Sequence, residues 1–157
     1  MAPVQTTPAP FPIRTKSTVV DINFVKTTIT SHAFSDKILL TITQNGRLAH
    51  WIHVPLHNPL PEASSLDPSS HDLDPDLPPS TLLPQSHFTA TTILGGTNAA
   101  LDTLGQTLAT QLASAIAGRN PDEGRMLVLG LGLDKDVPDG MDGEEFGELV
   151  GACLDVL

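Results

Sequence analysis

The sequence predicts an α+β protein with a six-stranded antiparallel sheet and two helices covering one face of it. Residues 16–54 contain four stretches rich in β-branched and apolar residues, with the alternation typical of half-buried strands. After residue 85 the pattern changes to strand, helix, strand, helix. The predicted order is therefore four strands, a fifth strand, a helix, a sixth strand and a second helix. Two helices cover one face of such a sheet, so the other face remains available to a partner.

The first four strands are predicted as two hairpins. Residues 16–22 and 25–34 are Thr-rich and connected at Asn23, which favours the first hairpin. The runs on either side of Asn45–Gly46 favour the second, because both central residues of a type I′ turn need a positive φ. Counting pairs outward from this turn places Leu40 opposite Trp51.

This register predicts which side chains share a face of the sheet. The more apolar set is predicted to face the helices, and it consists of Ile38, Leu40, Ile42, Ala49 and Trp51. The other set is too apolar for water and too polar for a permanent core, so we expect it to bind a partner, at roughly 800 Å² per chain. These predicted partner-binding residues are Leu39, Thr41, Thr43, Leu48, His50 and Ile52.

The later elements show helix and strand signals. A strand at residues 86–94 leads through Gly95–Gly96 into a helix at 98–117, with Gly118 at the position of a C-terminal cap. The strand at 125–133 alternates leucines with Gly130 and Gly132, and its glycine side permits close approach of a backbone or a large side chain. Asp142 caps the last helix, and Cys153 lies on its apolar stripe as a buried structural thiol.

Proline is concentrated in two segments. Residues 1–13 are predicted to form a flexible Pro-rich arm, and residues 14–157 a single domain. Within that domain, residues 56–85 are rich in Pro, Ser and Asp, and eight prolines lie from Pro55 to Pro84. Such a composition predicts a disordered loop, with a partner-binding segment as the alternative.

Charge and cysteine content exclude several classes of protein. The net charge is −10, with 8 Lys and Arg against 18 Asp and Glu, and no basic patch is visible, so we expect no nucleic-acid binding. No apolar run is long enough to cross a membrane. One cysteine allows no intrachain disulfide, which favours a reducing compartment, the cytosol or nucleus.

No pattern indicates a metal, cofactor or catalytic site. His50 and His53 point to opposite faces of one strand, and His57 follows Pro55, so they do not form a metal cluster. The acidic segment 134–145 resembles a calcium loop but has Pro138 and Asp139 at positions that need a ligand and a glycine.

Nucleotide binding and catalysis lack their signatures too. The strand, Gly95–Gly96–Thr97, helix transition has no Gly-Lys-Ser/Thr ending. No pairing of a base with a nucleophile is evident in the sequence. We therefore expect neither a cofactor nor an enzymatic activity.

Three segments carry a resemblance to a known family. They are AFSDKILLTITQNGRL at residues 33–48, TTILGG at 91–96, and RMLVLGLGLDKD at 125–136, followed by the acidic C-terminal helix. Together they resemble the proteasome assembly chaperone 3 family, in a fungal-like form with a Pro-rich arm and an inserted loop. The resemblance covers residues 16–56 and 86–157.

The resemblance implies a protein without catalytic residues that pairs through its sheet with a related, fourth type of assembly chaperone. It further implies that this heterodimer binds α-type subunits of the 20S proteasome and promotes α-ring assembly, and that the chain in isolation forms a homodimer if it self-associates. The alternatives are a different small dimeric adaptor, or an enzyme whose active site forms between subunits.

Overall fold

The computed structural model describes residues 12–57 and 88–157. Most of the predicted arm, residues 1–13, and of the predicted loop, residues 56–85, lies outside the described residues. The strands are β1 (Arg14–Ile22), β2 (Val25–Ala33), β3 (Lys37–Gln44), β4 (His50–Pro55), β5 (Thr91–Leu94) and β6 (Met126–Gly132). The helices are α1 (Ala99–Arg119), α2 (Val137–Gly140) and α3 (Gly143–Val156).

The strands form one mixed sheet in the order β1-β2-β3-β6-β4-β5. Strand β6 lies parallel to β3, with Leu40 opposite Leu129, and antiparallel to β4, with Ile52 opposite Leu129. Since β4 is antiparallel to both β5 and β6, these two strands run parallel to each other, and α1 connects them. The α+β class and the six strands are confirmed, but the prediction of a purely antiparallel sheet is wrong.

The observed sheet departs from the predicted one at the Asn45–Gly46 turn. The predicted turn is present, with φ 55° at Asn45 and 70° at Gly46, and the Arg47 N–H donates to the Gln44 carbonyl at 3.2 Å. However, β3 and β4 do not pair, because β6 lies between them. After the turn the chain crosses the end of β6, so close to it that a Cβ on Gly132 would overlap the carbonyl group of Arg47.

Inserting β6 also reverses the predicted faces of β4. His50, Ile52 and Val54 are buried on the helix side, whereas Trp51 and His53 are half-buried on the other side. The placement of His50 and Ile52 on the uncovered face was therefore wrong, and so was that of Trp51 on the helix side. A change of one residue in register moves every side chain of a strand to the opposite face.

Both predicted helices have side-chain caps at their N-termini, and the cap expected at Asp142 is confirmed. The Asn98 side chain accepts hydrogen bonds from the N–H groups of Ala100 and Leu101 at 3.1 and 3.2 Å. Asp142 does the same for Glu144 and Glu145. Such caps satisfy backbone donors that have no partner within a helix. The prediction of a C-terminal cap at Gly118 is wrong, because helix α1 continues to Arg119 and Asn120 is its cap.

Helix α1 packs over β4 and β6, and α3 packs over β1 and β2, so both cover one face as predicted. At Gly105 the α1 backbone lies so near the sheet that a Cβ would be 2.5 Å from Ile52 Cδ1. Cys153 is buried on the apolar side of α3, as predicted, and this burial raises the pKa of its thiol to about 12. None of the helices in the described residues is long and apolar enough to span a membrane.

One continuous core results between the sheet and the helices. Its fully buried aliphatic side chains come from five of the strands and from α1 and α3. They include Ile22, Ile29, Leu40, Ile42, Ile52, Leu108, Leu112, Leu127, Leu129, Leu131 and Leu149.

Candidate protein interface

The second face of the sheet has no helix over it among the described residues. Strand pairing across the sheet identifies the side chains that share this surface, which we call the open face. It consists of Thr15, Ser17, Val19, Thr28, Thr30, His32, Leu39, Thr41, Thr43, Leu48, Trp51, His53, Leu94 and Val128.

Trp51 dominates the centre of the open face, and a glycine makes room for it. A Cβ on Gly130, the residue opposite Trp51 in β6, would lie 2.9 and 3.1 Å from two carbons of the indole ring. The same Cβ would lie 3.2 Å from Leu48 Cδ2. The expectation that the glycine side of this strand admits a large side chain or a backbone is confirmed at Gly130 and at Gly132. The Trp51 ring and the Leu48 side chain therefore lie close against the sheet at Gly130 and form a broad apolar surface.

The hydroxyl groups of the open face bond back to the sheet. The Thr41 and Thr43 hydroxyls donate to the carbonyl oxygens of Thr30 and Thr28, both at 3.4 Å. Ser17 Oγ donates to the Ile29 carbonyl at 3.1 Å. These bonds satisfy the hydroxyls locally, so drying this surface in an interface leaves fewer polar groups without partners.

Three charged side chains, those of Asp21, Lys26 and Lys37, share this face by strand pairing, and they lie at the ends of its rows. No Asp, Glu, Lys or Arg lies among the residues between them that define the open face. Depletion of charge at the centre with charged groups at the rim is typical of protein interfaces.

The structure brings four of the six predicted partner-binding residues together on the open face, namely Leu39, Thr41, Thr43 and Leu48. His50 and Ile52 lie on the covered face and are buried. Sequence reasoning missed the other ten members, Trp51, His53 and Val128 among them. For these three the available signal is the leucine and glycine alternation of residues 125–133, if it is treated as a central strand between the two runs.

A buried polar cluster under α1 involves His50. Its Nε2 atom lies 3.2 Å from Asp102 Oδ1, off the line of a hydrogen bond, so it has no hydrogen-bond partner among the described residues. The Thr92 hydroxyl donates to the same Asp102 oxygen, and Gln106 Nε2 donates to the other at 2.9 Å. The cluster joins β4, β5 and α1, and His50 within it is only 2% exposed.

The described histidines do not form a metal site with one another. His50 and His53 are on opposite faces of β4, as the sequence predicted. Within the described ranges, no three His, Cys, Asp or Glu side chains converge as metal ligands do.

The fold and the open face define a small α+β protein with a mixed six-stranded sheet that is covered by helices on one side. A chain in a crystal structure of a novel chaperone complex for yeast 20S proteasome assembly has a similar fold, with a TM-score of 0.51. The identity is 13% over 90% of this chain and 97% of that chain. No protein-family model and no curated protein sequence matches this chain. The similarity thus concerns the fold, and the similar structure is that of a chaperone rather than an enzyme.

Proposed function

We propose that this chain is a proteasome assembly chaperone of the cytosol or nucleus. In this proposal it pairs through its open face with a related chaperone, and the pair binds α-subunits of the 20S proteasome to promote α-ring assembly. The observation that carries the proposal is the open face itself, in a fold shared with a chain of a proteasome assembly chaperone complex.

The composition of the open face supports pairing. A sheet face exposed to water usually carries charged or strongly polar side chains, whereas this one carries Trp51, Leu39 and Val128 at its centre. Its half-buried threonines also make it polar enough for the chain to remain stable before it pairs. Such a surface suits a partner's sheet, packed about 10 Å away with the helices of both chains outside.

A matched pair of substitutions tests the pairing. Thr41→Asp adds a carboxylate to the centre of the open face, and Thr107→Asp adds the same group to the exposed side of α1. We expect Thr41→Asp to weaken pairing with a related chaperone at least about tenfold, because burying an unpaired charge is unfavourable. Thr107→Asp leaves pairing unchanged.

Sedimentation analysis at tens of micromolar measures both variants, and circular dichroism verifies that each is folded. Pairing of Thr41→Asp with wild-type affinity, or a wild-type chain that stays monomeric alone and with every candidate chaperone, would contradict the proposed interface. A homodimer that Thr41→Asp dissociates would support the interface with the chain itself as partner.

Co-purification tests the wider function. The tagged chain should recover free α-subunits and a related chaperone, with little mature proteasome, as quantified by mass spectrometry. Recovery of mature particles alone, or of no α-subunit, would count against a role in assembly and favour another small adaptor. Leu39→Asp serves as the comparison, since a pair formed through the open face is lost in this variant.

A further inference from the structure

Phe24 lies at the tip of the β1–β2 hairpin and is fully exposed, with 101% relative accessibility. Its φ is 60° and that of Asn23 is 51°, so both central residues of the turn are in the left-handed region. This conformation is a genuine outlier for a bulky side chain, and glycine is the residue that normally occupies it. The turn at residues 45–46 has Gly46, with φ 70°, at the equivalent position.

Nothing in the described part of the chain compensates for this strain through the aromatic ring, because the ring is in solvent. The turn itself is held in place, since the Asn23 N–H donates to Glu145 Oε1 of α3 at 3.2 Å. A strained residue at a fixed position that contributes no packing indicates a role outside the isolated chain.

The surroundings of the turn are acidic. Glu145 contacts Asn23, and Asn23 Nδ2 is the nearest group, at 3.8 Å, to the position that a Cβ on Gly140 would take. Further carboxylates lie within four positions of Gly140 or Glu145 in the chain. They are Asp136, Asp139, Asp142, Glu144 and Glu148. None of them forms an ion pair with a Lys or Arg in the described residues.

We propose that Phe24 and the flanking carboxylates form a second docking surface, separate from the open face, for a folded protein with an apolar pocket bordered by Lys and Arg. The Asn23 backbone contacts α3, which packs on the covered side of the sheet, so we expect a chaperone paired on the open face to leave this turn accessible. An aromatic anchor in a dry pocket supplies affinity, and complementary charge around it supplies orientation and speed of association. Resting on the proposed function, the inference assigns this surface to a 20S α-subunit.

The experiment uses the full chain in complex with its pairing chaperone and, as probes, the purified 20S α-subunits one at a time. We expect Phe24→Ala to weaken binding of the recognised α-subunit about tenfold or more. The control is Leu94→Ala, which removes another exposed apolar side chain, at 62% accessibility on edge strand β5, and should leave α-subunit binding unchanged. Binding by the wild-type complex should weaken as salt rises, because the flanking charges are exposed.

Phe24→Gly provides a second, independent measurement. It should raise the melting temperature by about 2–4 °C, since strain is relieved, while it weakens α-subunit binding as Phe24→Ala does. A substitution that merely damaged the fold would lower both quantities.

The outcomes distinguish this inference from the proposed function. If the wild-type complex binds an α-subunit and Phe24→Ala binds it equally well, the inference fails and the chaperone function stands. If the wild-type complex binds no α-subunit, both fail. An unchanged or lowered melting temperature for Phe24→Gly would show that Phe24 is not strained, and this result would contradict the inference.

Discussion

The turns at Asn23–Phe24 and Asn45–Gly46 lie at the same end of the sheet and have nearly the same backbone conformation, with φ values of 51° and 60° against 55° and 70°. The first has a bulky residue where glycine is favoured, yet it joins two strands paired along nine positions. The second has the preferred residues, yet its flanking strands are separated by β6. Turn chemistry thus determines the local path of the chain, whereas strand pairing is decided elsewhere.

Strand pairing differs at the two turns because the strand edges beside them bury different amounts of apolar surface. The inner edge of β3 pairs with seven residues of β6, and this places Leu127, Leu129 and Leu131 beside the buried side chains of β3. Each such leucine contributes roughly 1.5–3 kcal/mol of burial. A direct β3–β4 hairpin would bury less apolar surface, because it would exclude the leucine-rich strand β6 from the centre of the sheet. Strand β1 meets no such competitor, so its hairpin forms as the local sequence predicts.

The largest effect is expected where the second turn crosses β6. Gly132→Ala places a methyl group against the Arg47 backbone, which cannot rotate away, so the free energy of unfolding should fall by at least about 3 kcal/mol. The matched control is Gly147→Ala on α3, whose Cβ meets nothing within 4 Å, and it should gain about 0.5–1 kcal/mol. Urea unfolding measures both. An equal response of the two variants would mean that the chain does not cross at Gly132.

An intermediate effect is expected for the contacts that anchor each turn. Gln44 is buried, accepts from the Asp134 N–H at 2.8 Å and donates to Thr27 Oγ1 at 2.9 Å. Gln44→Leu should cost about 1–3 kcal/mol, because it leaves the part-buried Asp134 N–H without this acceptor and the Thr27 hydroxyl with only its bond to the Val25 carbonyl. Glu145→Ala removes the exposed contact to Asn23 and should cost less than about 1 kcal/mol. Chemical denaturation of both proteins checks the order, and the reverse order would contradict the assigned burial.

The smallest effect on stability is expected when the second central residue of one turn is replaced by that of the other, Gly46 by Phe or Phe24 by Gly. Gly46→Phe has open space, since nothing lies within 4 Å of its Cβ, so the cost is conformational alone. Left-handed backbone costs a non-glycine residue about 1–2 kcal/mol, and losing the extra freedom of unfolded glycine returns about 0.5–1 kcal/mol. The net loss should be about 0.5–1 kcal/mol by thermal unfolding, and Phe24→Gly in the same protein should offset it. A loss above about 3 kcal/mol would show that Gly46 has a packing role as well.

Much of the architecture follows from local pattern. The alternation in residues 125–133 predicted both the strand and the close approaches at Gly130 and Gly132. Asp142 marked the start of the last helix, because its side chain satisfies the first backbone donors. The open face could be predicted for Leu39, Thr41 and Thr43, whose alternation within β3 does not depend on the neighbouring strand.

The part of the site on β4 could not be predicted in this way. The faces of Trp51, His53, His50 and Ile52 depend on which strand lies beside β4 and on how many residues the crossing takes. His50 also acquires its contact with Asp102, about fifty positions away in the chain, only when α1 packs on the sheet.

By itself, the sequence determined the class of the protein, the number of strands, the two long helices and the presence of one sheet face without a helix. These depend on periodicity and capping, which act within a few residues. Tertiary structure alone decided the parallel insertion of β6, the identity of the open-face residues on β4, and the exposure of Phe24 at a strained turn. These depend on competition for a strand edge and for the core, which is settled between residues far apart in the chain.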